Sequence, residues 1–359
     1  MKRYLLVRIF LSAVALLATA AGGCALLDER LEDCKEDIKI EYRLRLVTNL
    51  QVELQTHLSD ERDAALRQAL EDHLKNVFSP FAHDIDLSFY AVDDEGRRLE
   101  HRSAVMEAEQ ETYVIELPAA DYFHSALANV ASEPLVQLLD DELRDESRLS
   151  QKAGSPAASH TAGLFSARLP LTVHRDENEK YDVNLYMVNS AGALIVHRDS
   201  CDYVSATCEL MGLADGFAVC DSSFTYSPDM LVEADFVDAE PYLNPTPTKA
   251  GEADTTAVPH WRVTPAIFCG VGFPSRDAVA KSDGDIWQFA LNVLLKDGTV
   301  TRSVISMATP LPAGGLRLLR GWLHGDGSFE PEPVPDVIIS GISITLDWKE
   351  GMIYNPVLE

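Results

Sequence analysis

Ile38, Ile40, Tyr42, Leu44 and Leu46 alternate with Lys39, Glu41, Arg43 and Arg45. Period two over such a run puts apolar side chains on one face of an extended chain and charges on the other, the pattern of a half-buried β-strand. The period then changes. Ser59, Asp60 and Glu61 offer an N-cap with first-turn acids, and Leu66, Leu70, Leu74, Val77 and Phe78 follow at helical spacing. One helix is expected from about Asp60 to Phe78, stopped by Pro80. Alternation returns at Ile85, Leu87, Phe89 and Ala91, and Asp93-Asp94-Glu95-Gly96 turns the chain into Arg97, Arg98 and Leu99, a hairpin.

A strand from Tyr113 to Leu117 leads through Pro118 and Asp121 into a second apolar stretch. Residues 140–163 are charged, then small and polar, and read as an exposed loop. The run LFSARLPLTVH (164–174) is another strand, and the charged Arg175–Lys180 that follows is the expected domain boundary. Beyond it YDVNLYMV and ALIVH restart strands, and Glu240–His260, with four of the 18 prolines, is expected to be a long loop. Trp287, Phe289, Leu291, Val293 and Leu295 form a further strand, turned by Lys296-Asp297-Gly298-Thr299. The last has Ile342, Ile344, Leu346 and Trp348 opposite Ser343, Thr345 and Asp347. Short strands separated by turns, with at most one convincing helix per half, predict a mainly β chain of two antiparallel β-sandwiches, residues 38–177 and 178–359.

The N-terminus has a different character. Lys2, Arg3 and Arg8 precede an apolar run from Ile9 to Leu17 that continues through small residues to Gly23, with no acid. A membrane span needs roughly 20 apolar residues, so this is a secretory signal, and residues 1–23 are expected to be removed. Cys24, directly after Ala21-Gly22-Gly23, is similar to the lipobox cysteine of bacterial lipoproteins, whose thiol takes a diacylglycerol and whose freed amine takes a further acyl chain. Ala21 stands where that pattern has Leu; the plainer alternative is a secreted protein cleaved near a chance cysteine. Acyl chains contribute about 0.8 kcal/mol per buried CH2, enough in combination to hold a soluble domain on a bilayer. Residues 24–37 would then be a lipidated linker.

The signal takes three basic residues and no acid with it, so the net charge of −27 becomes −30 on the mature chain. Repulsion from phosphate then excludes nucleic acid as a partner. With Cys24 lipidated, Cys34, Cys201, Cys208, Cys220 and Cys269 remain, an odd number. Two of Cys201, Cys208 and Cys220 could be bridged, or all three could be buried thiols. No C-x2-C pair or H-x3-H pair marks a metal site, and no cofactor is implied. Gly270–Ser275 lacks the third glycine of a dinucleotide site and Gly325–Glu330 is no nucleophile elbow, so both read as turns. With no nucleophile elbow, P-loop or zinc helix, the chain is not expected to be an enzyme. His197 and His260 read as packed or surface histidines. Of three tryptophans that could stack on sugars, Trp287 and Trp348 are in phase with apolar neighbours and read as core, which leaves Trp322.

The order of features carries a resemblance: Cys24, then Cys34 in LEDCKED, an alternating strand, one helix, the hairpin IDLSFYAVDDEGRRL and then ELPAADY. Phe89, Asp93, Asp94, Gly96, Leu117, Pro118, Ala119, Asp121 and Tyr122 match the motifs of the fimbrial anchor lipoproteins of type V pili, the FimB-type relatives of fimbrillin in Gram-negative anaerobes. Ala120 stands where that family often has glycine, and the likeness covers residues 24–125. It implies an outer-membrane lipoprotein of two tandem transthyretin-like β-sandwiches with one helix in the first. The protein would face the cell exterior, held by lipid on Cys24, and join a fimbrial stalk subunit by β-strand addition. It also implies that the first strand is kept, because cleavage at Arg43 or Arg45 would sever the domain from Cys24. Asp28 and Glu29 approximate an acidic surface-export signal after the cysteine, or are only linker. The alternatives are a surface lipoprotein that binds glycans, a tip or accessory adhesin of the same pili, or a secreted hydrolase.

Overall fold

Asp37–Val47 is the strand β1 that the first alternation predicts: Ile40 is fully buried, Ile38, Leu44 and Leu46 pack against the same core, and Lys39, Arg43 and Arg45 face solvent. The computed structural model describes residues 37–48, 54, 58, 60, 63–79, 82, 84–93, 95, 98–107, 112–139, 147–152, 156–174, 180–198, 202–243, 265–277, 286–333 and 338–348. After β1 come the helix α1 (Ala64–Leu74) and the strands β2 (Asp84–Val92), β3 (Arg98–Glu107), β4 (Thr112–Pro118) and β5 (Ala120–Ala128). Two short strands, β6 (Val136–Leu139) and β7 (Arg148–Gln151), precede β8 (Phe165–Val173) and β9 (Lys180–Met187). The later part holds β10 (Ser190–Arg198), β11 (Tyr203–Met211), β12 (Gly216–Ala218), β13 (Ser223–Thr225) and β14 (Leu231–Val237). A single helical turn, α2 (Glu240–Leu243), is followed by β15 (Ala266–Gly272), β16 (Trp287–Leu295), β17 (Thr299–Met307), β18 (Leu316–Leu323), β19 (Phe329–Pro331) and β20 (Ile339–Trp348).

These strands make three sheets, ordered β3-β2-β5-β8-β9-β1-β4, β19-β18-β10-β15-β14-β11-β16-β17-β20 and β13-β12-β7-β6. The fold is mainly β, as expected, with two differences. Two pairings are parallel, β1 with β9 from Glu41↔Lys180 to Val47↔Tyr186 and β10 with β18 from Ala191↔Leu316 to Arg198↔Leu323. The third sheet joins strands from both parts of the chain. β9 lies beyond the expected boundary at 177/178 yet pairs with β1 and β8, so the chain changes sheet after Met187.

Helix α1 is shorter than its apolar spacing suggests. Helical bonding ends at Leu74, whose carbonyl then accepts from the amides of Val77 and Phe78 in a closing turn. Leu66, Ala69, Leu70, Leu74, Val77 and Phe78 are all buried, in one core that takes Leu87, Phe89 and Val183 from the first sheet and Ala193, Ile195, Ile267 and Cys269 from the second. The N-cap position falls at Asp63, whose carboxylate makes no cap bond; it pairs with Arg320 of β18 at 2.9 Å. On α1, Asp72 accepts from the Tyr242 hydroxyl of α2. The helix is thus wedged between the sheets.

The loop expected at 140–163 is a second joint, and its described residues are largely ordered into the fold. Leu149 of β7 is fully buried with Phe217 and Phe273. Ala157 donates to Leu231 O and accepts from Glu233 N, and His160 donates through its amide to Val271 O. Buried Glu133 accepts from the amides of Leu135, Thr161 and Ala162. Asn189 donates to His160 Nδ1 at 2.8 Å, which leaves Nε2–H of the neutral ring to donate to Gln151 Oε1 at 2.5 Å. Small polar residues here are burying hydrogen bonds, which the apolar pattern cannot report.

Turn chemistry is as read at Gly298 and Gly327, both at positive φ between paired strands. Gly270 and Gly272, expected in a turn, instead end β15. A Cβ on Gly270 would meet Leu210 Cδ1 at 2.3 Å and one on Gly192 would meet Leu210 Cδ2 at 2.5 Å, so Leu210 packs on bare backbone from two strands.

Two outcomes follow from this packing. Leu70→Ala should lower unfolding free energy by roughly 2–5 kcal/mol in a denaturant titration, because the cavity opens where both sheets meet the helix; an unchanged midpoint would show that the helix is not part of the shared core. His124 is buried, stacked on Phe89 with ring centroids 4.3 Å apart, and donates from Nδ1 to Ser88 O; burial holds it down to about 4 from 6.5, and burial also lowers His160. The unfolded chain therefore takes up protons first as pH falls, so stability is complete above about pH 6.5 and is lost on the way down to about pH 4, by roughly 3 kcal/mol for His124. Melting temperature across that interval should fall less in His124→Gln than in the wild type, and equal slopes would remove the assignment.

Candidate functional site

The unusual feature among the described residues is a sheet edge. Among the described residues no cluster of three His, Cys, Asp or Glu side chains could hold a metal ion. Four strands end the two large sheets: β3 and β4 the first, β19 and β20 the second. β19 is only three residues long, which leaves little unpaired backbone. β20 pairs with β17 over Thr299↔Trp348 to Met307↔Ile339, with one irregularity at Ser306/Met307, and no described strand pairs with its other side.

The side chains of β20 distinguish it further. Ile342 lies opposite Ile305 and Ile344 opposite Ser303, so both continue a row that is fully buried on β17. On β20 the same row emerges from the sandwich: Ile342 is 44% and Ile344 47% exposed, and Ser343 and Thr345 on the other face are exposed too. Ile338, just before the strand, is also exposed. Charges, prolines or bulges usually blunt such an edge; on β20 the one irregularity lies at its start, and the strand borders an apolar row that is only half covered. The alternation of isoleucines was legible in the sequence, but it suggested a buried face. An edge strand with no described strand beyond it buries only half of that face.

β1 is the opposite case. It is held from both sides, antiparallel to β4 over Asp37↔Pro118 to Arg43↔Thr112 and parallel to β9. Its outer face carries Lys39 with Glu116 at 3.3 Å, and Glu41 with both Arg43 (2.9 Å) and Lys180 (2.7 Å); hydrogen bonds from Lys180 and then Arg43 hold the Glu41 carboxyl below the ordinary range. Exposed pairs of this kind add little energy each but suit one register.

Of the residues that carry the fimbrial resemblance, Phe89, Leu117, Pro118 and Tyr122 are buried, whereas Asp121 is exposed. Leu117 and Tyr122 are buried, the Tyr122 hydroxyl donates to Pro118 O at 2.8 Å, and the Tyr122 ring meets Phe89 edge-on at 6.5 Å. The ELPAADY segment is therefore a β4–β5 corner tied by its own tyrosine. Asp93 accepts from the Glu95 amide in the β2–β3 turn.

Cys24, the expected lipidation site, lies outside the described residues, as do Cys34, Cys201 and His260. Cys208 and Cys269 are buried free thiols and Cys220 is a half-exposed one. Burial raises the Cys208 and Cys269 thiols, which are neutral and inert. No bridge joins Cys208 to Cys220. Trp287 is core, as expected, and donates to Thr309 O at 2.8 Å; the Trp348 side chain lies outside what is described. Trp322 is 41% exposed, its ring 5.1 Å from that of His197 in the adjoining strand, and its indole N–H is already taken by Glu332.

No family model and no curated protein matches the chain. Solved structures do match it. The fimbrial anchor protein Mfa2 from Porphyromonas gingivalis is 11% identical, with 85% of this chain and 100% of that one covered at a TM-score of 0.46. The tip fimbrial protein Mfa3 from Porphyromonas gingivalis, with a C-terminal truncation, is 10% identical over 87% and 98% at a TM-score of 0.39. A candidate adhesin from Bacteroides thetaiotaomicron is 10% identical over 86% and 100% at a TM-score of 0.48.

Proposed function

We propose that this chain is a lipid-anchored subunit of the outer membrane that holds a fimbria at the cell surface by β-strand addition, and that β20 is the edge at which the partner's strand pairs. The observation that carries the reading is the pair Ile342 and Ile344, half-exposed on an edge strand yet continuing a buried row. An extended segment laid beside β20 would satisfy the free main-chain groups and cover both isoleucines, which is how strand addition combines affinity with side-chain selection. A partner met this way loses no chemistry and needs no cofactor, so the protein is not an enzyme on this reading.

The N-terminal end of the reading rests on the sequence: the short signal, the lipobox-like Cys24 and the motif order through Tyr122. The two sheets with their short connecting sheet are then two transthyretin-like sandwiches, the first carrying the lipid and the second the partner. β1 is retained in the mature protein. Its inward Ile38, Ile40, Leu44 and Leu46 belong to the shared core, and loss of the strand would unpair both β4 and β9.

Two variants separate the ends of the molecule. Ile342→Lys combined with Ile344→Lys should leave stability within about 0.5 kcal/mol, since both are surface sites, and leave the protein in the membrane fraction. Fimbriae should no longer co-purify with it after mild detergent extraction. Cys24→Ala should do the reverse, releasing the protein from the membrane while it still binds fibres. Fibres that still co-purify with the double-lysine variant would rule out β20 as the joint, and membrane retention of Cys24→Ala would rule out the anchor.

A further inference from the structure

β8 and β9 begin as partners and then part. Phe165 pairs with Met187 and Ser166 with Tyr186, and there the ladder stops, because β8 continues beside β5 while β9 turns to run with β1. Strand alternation puts Ser166 and Arg168 on the outer face of β8, and Asp182, Asn184 and Tyr186 on the outer face of β9. A cleft of about 450 Å³ opens over this fork, walled at its paired end by Phe224 of β13. That volume is within the range of roughly 300–1,000 Å³ typical of small-molecule sites.

One feature of the cleft has no structural purpose within the fold. Tyr186, 61% exposed, is a large ring on the polar face of a strand whose apolar residues, Val183, Leu185 and Met187, all point inward. Asp182 and Asn184 flank it on the same face, and Arg168, whose guanidinium sits 4.4 Å over the Phe123 ring, stands across the fork.

We propose that this cleft binds a small neutral saccharide, one or two sugar rings at the end of a longer chain. The chemistry matches on each count. Vicinal hydroxyls both donate and accept, and here Arg168 donates, Asp182 accepts, and Asn184 does both. The apolar face of a pyranose packs on an aromatic ring, which Tyr186 and Phe224 supply. One guanidinium against one carboxylate leaves the cleft without a net charge for an ionic ligand, and a chain of net charge −27 repels an acidic glycan. Trp322, the aromatic that the sequence leaves for sugar stacking, is the weaker candidate because its N–H is already committed to Glu332.

The proposal is independent of strand addition at β20, and the experiment keeps the two apart. Purified protein without its signal segment is applied to immobilised oligosaccharides ending in glucose, galactose, mannose, N-acetylglucosamine or sialic acid. Binding to at least one neutral class is expected. Tyr186→Ala and Asp182→Asn should each weaken it at least tenfold, and Ile342→Lys with Ile344→Lys should leave it unchanged. Asn184→Ala is the sharper variant. Loss of an exposed amide should leave the melting temperature unchanged, while affinity falls at least tenfold. No neutral class bound, sialylated glycans alone bound, or wild-type affinity in both Tyr186→Ala and Asn184→Ala would each overturn the assignment.

Discussion

The structure depends on one layer of sheet being buried on both of its faces. β10 and β15 alternate between two cores: Ala191, Ala193, Ile195, Ile267 and Cys269 face the helix and the first sheet, while Leu194, Val196, Ala266 and Phe268 face the rest of the second. Such a strand cannot show polar alternation, and both read as near-continuous apolar runs, SAGALIV and AIFCGVG. Space on the second face is set by Gly192 and Gly270, which let Leu210 approach to main-chain contact. Because the layer serves both cores, the two parts of the chain cannot separate without exposing it, and the Asp63–Arg320 pair and the 157–164 segment close the same joint from two sides.

Alternation made the singly buried strands legible. β1, β2 and β16 lie where the period-two runs put them, and α1 lies within the predicted helix. What failed has a common physical cause. Residues 147–163 hold little apolar surface, so their burial is invisible to hydropathy; it comes from Glu133, His160 and Asn189 satisfying backbone and each other. The boundary expected at Arg175–Lys180 falls between β8 and β9, two strands of one sheet, and no local composition reports the parallel pairing that places β9 beside β1. That pairing joins residues far apart in sequence.

Candidate sites were legible in proportion to how local their chemistry is. Cys24 stands out through its immediate neighbours, whereas the β20 edge requires knowledge that no described strand pairs beyond it, and the cleft requires knowledge that β8 and β9 diverge. One signal was present for the cleft and went unused: in YDVNLYM the outward positions read Asp, Asn, Tyr, and an aromatic ring in a polar register is out of place on a solvent face. Leu117 and Tyr122, two of the residues that carry the resemblance, form a buried corner, so a resemblance can rest on residues that pack the core.

The pairing of β1 also has a mechanical meaning. Tension applied to the chain ahead of Asp37 would act along the axis of a strand gripped by seven register pairs on each side. Tension in that direction shears both ladders along their length, so many hydrogen bonds must fail together, whereas a peeling load would break them one after another. The first described strand thus has a geometry that resists being drawn out.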